Sequence, residues 1–354
     1  MQTKNVKAST VDKGAVHASG LRIGVVGYGY WGPNIVRNFS SVDGARVVAV
    51  SDLRDASLKK VEKAHQGVRT TKNADELICA TDVDAVAIVT PVFTHFELAK
   101  KALEAGKHVF VEKPFTYTVA QAEELINLAE RKNLKIMVDH TFLFTGAVRK
   151  MKQLVDDGTL GKIYYYDSMR VNLGLFQHDV NVLWDLAPHD VSIMHFLLGE
   201  TPESVVATGS VHLNNALEDV AYLTIYYPNN LIAHIHTSWL SPVKIRQTLI
   251  AGSKKMIVWD DNQPSEKVRV YDKGIDVIQN ADQVYNMLIQ YRTGDMYSPR
   301  LDSTEALAVE VNHIIECLDH NRPSPADGEA GQIVVRILEA AQKSIKNRGK
   351  EIKL

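Results

Sequence analysis

Residues 22–52 constrain this chain more than any other stretch. An apolar run, Ile23 to Val26, enters a turn carrying Gly27, Gly29 and Gly32 in G-x-G-x-x-G spacing; an amphipathic segment follows, and a second apolar run, Val47 to Val50, ends at Asp52. Strand, glycine turn, helix, strand and terminal acid in that order form the layout of a dinucleotide-binding βαβ unit. Gly27 permits the tight turn, Gly29 leaves the backbone free to approach a pyrophosphate, and Gly32 lets the helix sit close on the strand. Asp52 is then placed to accept hydrogen bonds from a ribose diol, which favours NAD over NADP because a carboxylate repels a 2′-phosphate. Arg54, close behind it, pulls the other way. The alternative for Asp52 is an N-cap of the helix expected over Ala56 to Ala64, a part that Asp55 or Ser57 fills equally well.

Strand and helix signals keep alternating up to residue 140. Ala85 to Val89 is a buried strand ending at Thr90-Pro91-Val-Phe-Thr94-His95, His108 to Val111 runs into Glu112-Lys113-Pro114, and Lys135 to Asp139 is the next strand. Beyond residue 140, strand-like runs at 162–171, 203–213, 220–227, 231–237, 246–251 and 255–259 follow one another, with turns at Asn229-Asn230 and Gly252-Ser253. Helices are expected near 145–157, 184–198, 303–321 and 329–347. The fold class predicted is an α/β Rossmann domain over 21–140, then an α+β domain over 141–354 with a large, mostly antiparallel open sheet; residues 1–20 read as a flexible extension.

Composition narrows the partners. The 354 residues, 45% of them hydrophobic, suffice for two cores, and a formal net charge of -2 gives no field for polyanions. No block of Lys and Arg is interleaved with aromatics, so no nucleic-acid partner is expected. Met1 to Gly20 lacks the apolar centre of a signal peptide, and no run approaches about eighteen apolar residues, which points to a cytoplasmic protein without a membrane partner. Cys79 and Cys317 lie far apart in apolar-periodic stretches and are expected in the core. No metal site is expected either: His189 and His195 fall on different helix faces, and His234 and His236 share a strand face without a third ligand.

Several motifs now stand in one order: Gly27-x-Gly29-x-x-Gly32, Asp52, Thr90-Pro91-x-x-x-His95, Glu112-Lys113-Pro114 and Asp185-x-x-x-His189. They are joined by Glu305-Ala-Leu-Ala-Val-Glu310, Asn321-Arg-Pro-Ser-Pro and an apolar helix ending in Lys343-Ser344. Over residues 21–354 the chain resembles the glucose-fructose oxidoreductase, inositol dehydrogenase and rhizopine-catabolism (Gfo/Idh/MocA) family. The resemblance implies NAD(P)-dependent oxidation or reduction of a carbinol in a sugar, cyclitol or related polyol. It also implies a homo-oligomer, dimer or tetramer, built through the C-terminal sheet. Tyr30, Trp31, Arg54, Thr90, Pro91, His95, Glu112 and Lys113 join the glycines and Asp52 as expected cofactor-binding residues.

Hydride removal from a carbinol needs a base for the hydroxyl proton and a donor for the developing oxyanion. Lys113, at the carboxyl end of a parallel strand, and His189 suit those parts, with Asp185 one helical turn from His189 to orient substrate. Many family members place glycines before the motif aspartate, whereas this chain has Asn181-Val-Leu-Trp184. Substrate contacts are therefore expected from Arg170, Asn172, His178, Asn181 and Trp184. Arg170, Trp239, Lys244 and Arg246 could serve the phosphates and base of a nucleotide-linked sugar such as UDP-N-acetylglucosamine, oxidised at C3. Alternatively, Arg170 stabilises the sheet and Trp239 packs at a subunit interface. A free-cyclitol dehydrogenase and a non-catalytic cofactor-binding regulator are the competing functions.

Overall fold

The structure, a computed structural model, describes residues 20–174, 176–177, 179–213, 217–278 and 288–354. His178 lies outside the described residues, as does nearly all of the expected N-terminal extension. The first sheet collects β1 (Leu21–Val26), β2 (Ala45–Ser51), β3 (Arg69–Thr71), β4 (Ala85–Ile88), β5 (His108–Glu112) and β6 (Ile136–Asp139). All six run parallel in the order β3-β2-β1-β4-β5-β6. The helices between them are α1 (Gly32–Ser41), α2 (Asp55–Ala64), α3 (Ala74–Ile78), α4 (His95–Glu104) and α5 (Val119–Lys132). Buried on both faces, β1, β4 and β5 read as near-continuous apolar runs, which is why they were legible as parallel strands.

After α6 (Gly146–Asp156), β7 (Ile163–Leu173) and α7 (Val182–Leu198), the chain runs through β8 (Ser204–Ser210), β9 (Val220–Tyr226), β10 (Ile232–Ser238), β11 (Leu240–Gly252), β12 (Met256–Asp260), β13 (Val268–Ile278) and β14 (Leu288–Tyr297). It ends with α8 (Ala306–His320), α9 (Gly328–Lys346) and the short β15 (Ile352–Lys353). The second sheet has nine strands, β14-β13-β12-β11-β7-β10-β9-β8-β15. Every neighbouring pair is antiparallel except β7 and β10, which run parallel. β13 and β14 were not foreseen. They lie at the sheet's edge, where Lys273, Gly274, Arg292, Gly294 and Asp295 break the apolar alternation that marks a strand.

Cores do not follow a cut at residue 140. Leu307, Val311, Ile314 and Ile315 of α8 are buried with Ile23, Val36 and Phe39 of the first sheet and α1, so the chain returns late to finish the earlier core. α7 and α9 cover one face of the second sheet. The opposite face stays open and carries Tyr165, Met169, Tyr222, Tyr226 and Ile232, all exposed and set side by side by the strand register. Cys317 is buried as expected, but Cys79 is exposed: it caps the short α3, a position the apolar pattern does not distinguish from a core one.

Candidate active site

The glycine turn has the geometry that a dinucleotide requires. Gly27 adopts φ +99°, and a Cβ there would meet the Val89 carbonyl oxygen at 2.4 Å; one on Gly32 would meet the Gly27 oxygen at 2.6 Å. Gly29 is different, since a Cβ there would find only the Arg54 guanidinium, at 3.7 Å, so the turn keeps an open approach to its backbone. Asp52 is nearly buried and does not cap α2. Its Oδ2 accepts from the Tyr28 backbone N–H at 2.8 Å, and its Oδ1 from the Arg54 backbone N–H at 2.9 Å and the Arg54 Nε at 3.1 Å. Burial pushes the Asp52 carboxyl up, but the hydrogen bonds and charge of Arg54 and Tyr28 outweigh it and hold the group ionised below its usual range.

Two expected cofactor contacts on this turn behave differently. Tyr30 is 90% exposed at its tip. Trp31 turns inward, donating Nε1–H to Asp139 Oδ2 at 2.8 Å, so its ring anchors the turn rather than facing a ligand. At the end of β4, Thr90 and Pro91 keep accessible surface. His95 does not: it is 1% exposed, with Nδ1 2.9 Å from the Pro114 carbonyl and Nε2 2.8 Å from the Thr90 carbonyl. Burial, stronger than the pull of those carbonyls, keeps its pKa below the imidazole range. A neutral ring carries one N–H, so His95 donates to one of these two carbonyls and packs its other nitrogen against the second, between the Thr90 loop and the Lys113-Pro114 turn, whose peptide bond is cis.

Lys113 reaches from that turn to α7. Its Nζ donates to the Asp185 carbonyl at 2.9 Å and stands 3.8 Å from Asp185 Oδ1. Asn181 starts α7 by accepting from the Trp184 N–H at 3.0 Å, and Gly199 at φ 64° ends it, so Asp185 and His189 lie one turn apart on one helix. His189 has a buried Nδ1 without a partner, and its ring meets the Phe142 ring edge-on at 5.0 Å. Burial first, then the charges of Lys113, Arg170 and Arg246, push its pKa well below the imidazole range, so the ring is neutral. Asp185 is held in turn by Trp239, whose Nε1–H donates to Oδ2 at 3.0 Å.

The expected substrate residues divide. Asn181 is committed to the protein: beyond its cap bond, its Nδ2 donates to Glu218 at 2.7 Å and Gln342 at 2.6 Å. Arg170 is 3% exposed, ion-paired to Asp190, and stacked 4.6 Å over Phe142, which fixes α7 to the sheet and realises the structural alternative. Trp184 is buried, its ring 5.1 Å from that of Tyr117. Asn172, half-buried at the end of β7, and Arg246, half-buried opposite Arg170, keep surface for a ligand, while Lys244 is exposed on β11. Trp239 supports Asp185 from a position only 1% exposed, a role neither of its expected alternatives contained.

Glu112 turns Oε2 into the protein, where it has no partner, instead of presenting the whole carboxylate to a cofactor. Residues missed from sequence also keep accessible surface near these strand ends. Phe93 and Tyr117, 48% and 40% exposed, pair at 4.7 Å beyond the ends of β4 and β5. Phe93 lies inside the Thr90-to-His95 motif and Tyr117 three residues after Pro114, and that placement is the signal that could have found them.

Comparisons with known proteins agree with this geometry. Residues 21–140 match the model of an oxidoreductase family with an NAD-binding Rossmann fold, and residues 148–258 match the GFO/IDH/MocA C-terminal domain. The myo-inositol 2-dehydrogenase of Thermotoga maritima is 25% identical over 93% of this chain and 97% of its own length. UDP-N-acetylglucosamine 3-dehydrogenase of Acidithiobacillus ferrooxidans is 26% identical over 91% of this chain and 95% of its own. GenD2 from gentamicin A biosynthesis, solved in complex with NAD, superposes with a TM-score of 0.79 over 98% of this chain and 99% of its own, at 19% identity. No helix among the described residues is long and apolar enough to cross a membrane. The glycine turn, the Lys113 turn and the Asp185-His189 helix thus sit in a protein that belongs to the Gfo/Idh/MocA family of NAD-binding oxidoreductases.

Proposed function

We propose that this chain is an NAD-dependent dehydrogenase that moves hydride between nicotinamide and a secondary hydroxyl or ketone of a sugar, with a nucleotide-linked sugar as substrate. The observation that carries the reading is the meeting of Lys113 Nζ with Asp185 at 2.9 and 3.8 Å beside a neutral His189, at the carboxyl ends of the parallel strands. NAD bound on the glycine turn supplies the hydride acceptor. Lys113 serves as the hydrogen-bond donor that steadies the developing oxyanion. His189 takes the hydroxyl proton, since a neutral ring has a lone pair free without first shedding a proton. Asp185, kept in place by Trp239, orients the neighbouring hydroxyl.

The nucleotide-sugar assignment is supported by the UDP-N-acetylglucosamine relative and by the aromatic pair Phe93 and Tyr117, with the half-buried Arg246, paired to Asp261 at 3.5 Å, as a further cation. The inositol relative, of comparable identity, supports the free polyol instead. NADH formation with UDP-N-acetylglucosamine and with myo-inositol separates the two, together with heat protection by UDP alone. Turnover of the nucleotide sugar and protection by UDP are expected. Turnover of myo-inositol with no response to UDP would assign the free-polyol class. The apolar outer face of the second sheet, with Tyr165, Met169, Tyr222, Tyr226 and Ile232 exposed, supports a homo-oligomer through that sheet.

A further inference from the structure

Beside the Lys113 turn lies a group of acids that the hydride transfer described above does not use. Glu112 ends β5, Asp139 ends β6 as its partner in register, and Glu310 arrives from α8. Asp139 is 2% and Glu310 1% exposed. Asp139 is well supplied with donors: Trp31 Nε1–H at 2.8 Å, the Thr141 backbone N–H at 3.3 Å, and the Thr141 hydroxyl. Glu112 Oε2 and both Glu310 oxygens are buried without a hydrogen bond of good geometry, although Glu310 lies against the side chains of Thr141 and Asp139. Among the described residues, no lysine or arginine side chain forms an ion pair with any of the three. Lys113 is the cation whose charge bears on Glu112 and Asp139; Asp185 adds a further negative charge toward Glu112. His140, buried alongside, is neutral, its pKa pushed down to about 3 by burial and then by Lys113. Glu310 faces Asp139 and Thr141. Two carboxyl groups facing each other in a dry site bond only when one of them carries a proton, which then serves as the donor.

We infer that Glu112 and Glu310 keep their protons while Asp139 holds Trp31, so that the three acids form a latch tying the cofactor turn to the Lys113 strand, and that loss of those protons weakens dinucleotide binding. Trp31 lies within the glycine turn, immediately before α1, so whatever fixes its indole fixes the backbone that faces the diphosphate. Burial is the larger cause, and neighbouring carboxylates the smaller, that push Glu112 up to about 8 and Glu310 well above the carboxylate range; burial raises Asp139 too, but the Thr141 and Trp31 donors and Lys113 oppose it, so Asp139 is the member of the three equipped to hold a charge. Protonated, Glu310 can donate to Asp139 and leave it as the single negative charge that the Trp31 and Thr141 donors need. Ionised, Glu112 and Glu310 set two more negative charges beneath a turn built to attract phosphate, and they repel Asp139. This accounts for Glu310, the last residue of the Glu305-to-Glu310 motif, and for Glu112 of the Glu112-Lys113-Pro114 turn, neither of which forms an ion pair with a lysine or arginine among the described residues.

The test is NADH binding by the full chain, read by fluorescence from pH 6.5 to 9.5, with no substrate and therefore independent of which sugar is oxidised. NADH affinity of the unaltered protein should be flat to about pH 7.5 and then fall, by roughly 10-fold at pH 9.5. Glu310→Gln, whose amide imitates the protonated acid, should bind near the unaltered level at pH 7 and lose less affinity at high pH; adding Glu112→Gln should remove the remaining alkaline loss. A pH-independent affinity in the unaltered protein would overturn the latch. So would an unchanged alkaline loss in both Gln variants, which would place the titrating group outside the latch. If the double variant does not fold, the single Glu310→Gln decides: an unchanged loss rejects the inference and a reduced one sustains it.

Discussion

Trp239→Phe is the substitution that tests how the site is held. Trp239 is 1% exposed, its Cδ1 would lie 3.0 Å from a Cβ on Gly174, and its ring is 5.3 Å from that of Phe176, so Phe keeps most of the packing. What Phe removes is the Nε1–H bond of 3.0 Å to Asp185 Oδ2. A hydrogen bond to a charged acceptor contributes roughly 1.5–3 kcal/mol. Asp185 without it can swing toward Lys113 Nζ, now 3.8 Å from Oδ1, and close an ion pair that withdraws the ammonium from the substrate oxygen. If the lost bond energy appears in the transition state, kcat/KM falls by roughly 10- to 150-fold. The smaller ring adds a stability cost of roughly 1–2 kcal/mol, which lowers Tm by a few degrees and does not by itself slow turnover.

The assay is steady-state NADH formation at saturating NAD, beside NADH affinity and thermal unfolding of the same preparation. A drop in kcat/KM with NADH affinity preserved is expected, because Trp239 contacts no residue of the glycine turn among its described partners. Activity within about twofold of the unaltered enzyme would refute the reasoning. Asp185 would then be positioned by Lys113 and the helix alone.

Lys113→Met should leave cofactor binding largely intact and lower kcat by roughly 100-fold or more; near-normal turnover in that variant would remove Lys113 from the chemistry. For His189 the sign runs against the usual imidazole expectation. Its pKa is depressed, so the neutral, proton-accepting form persists far below pH 6.5, and the oxidation rate should stay flat through the ordinary imidazole range and fall only at lower pH. An inflection near pH 6.5 that His189→Asn abolishes would contradict that sign, and an unaltered rate and profile in His189→Asn would return His189 to a binding role. With Asp52 ionised and facing the cofactor turn, kcat/KM should favour NAD, and Asp52→Ala should narrow the margin. An enzyme faster with NADP would point to Arg54, whose side chain is 63% exposed, as the group that selects the cofactor.

Much of the fold was legible because its signals are local. The apolar runs of β1, β4 and β5, the glycines that no side chain could replace, and the Asn229-Asn230 turn, with both residues at positive φ, each state their conformation within a few residues. β14, at the sheet's edge, and the outer half of β13 were illegible for the converse reason: only the start of β13, with Val268 and Val270, enters the core, and beyond it Lys273, Gly274, Arg292 and Gly294 leave no apolar alternation. The return of α8 to the first core could not be read either, since an amphipathic helix states that it buries a face and not against what.

The site shows the same division more sharply. Lys113, Asp185 and His189 were legible because strand-end placement and i,i+4 spacing follow from the backbone. What each neighbouring polar group does was not, because that depends on contacts across long sequence separations. Arg170 is twenty residues from Asp190, Trp239 is 54 from Asp185, and Trp31 is 108 from Asp139. A charged or aromatic residue near a motif therefore reads as a ligand contact until its partner is found, and for Arg170, Asn181 and Trp31 the partner is protein. The same logic applies to His189. An imidazole ordinarily titrates near neutrality, but here burial first, and then three nearby cations, hold the ring neutral, so the environment and not the residue type sets its protonation state.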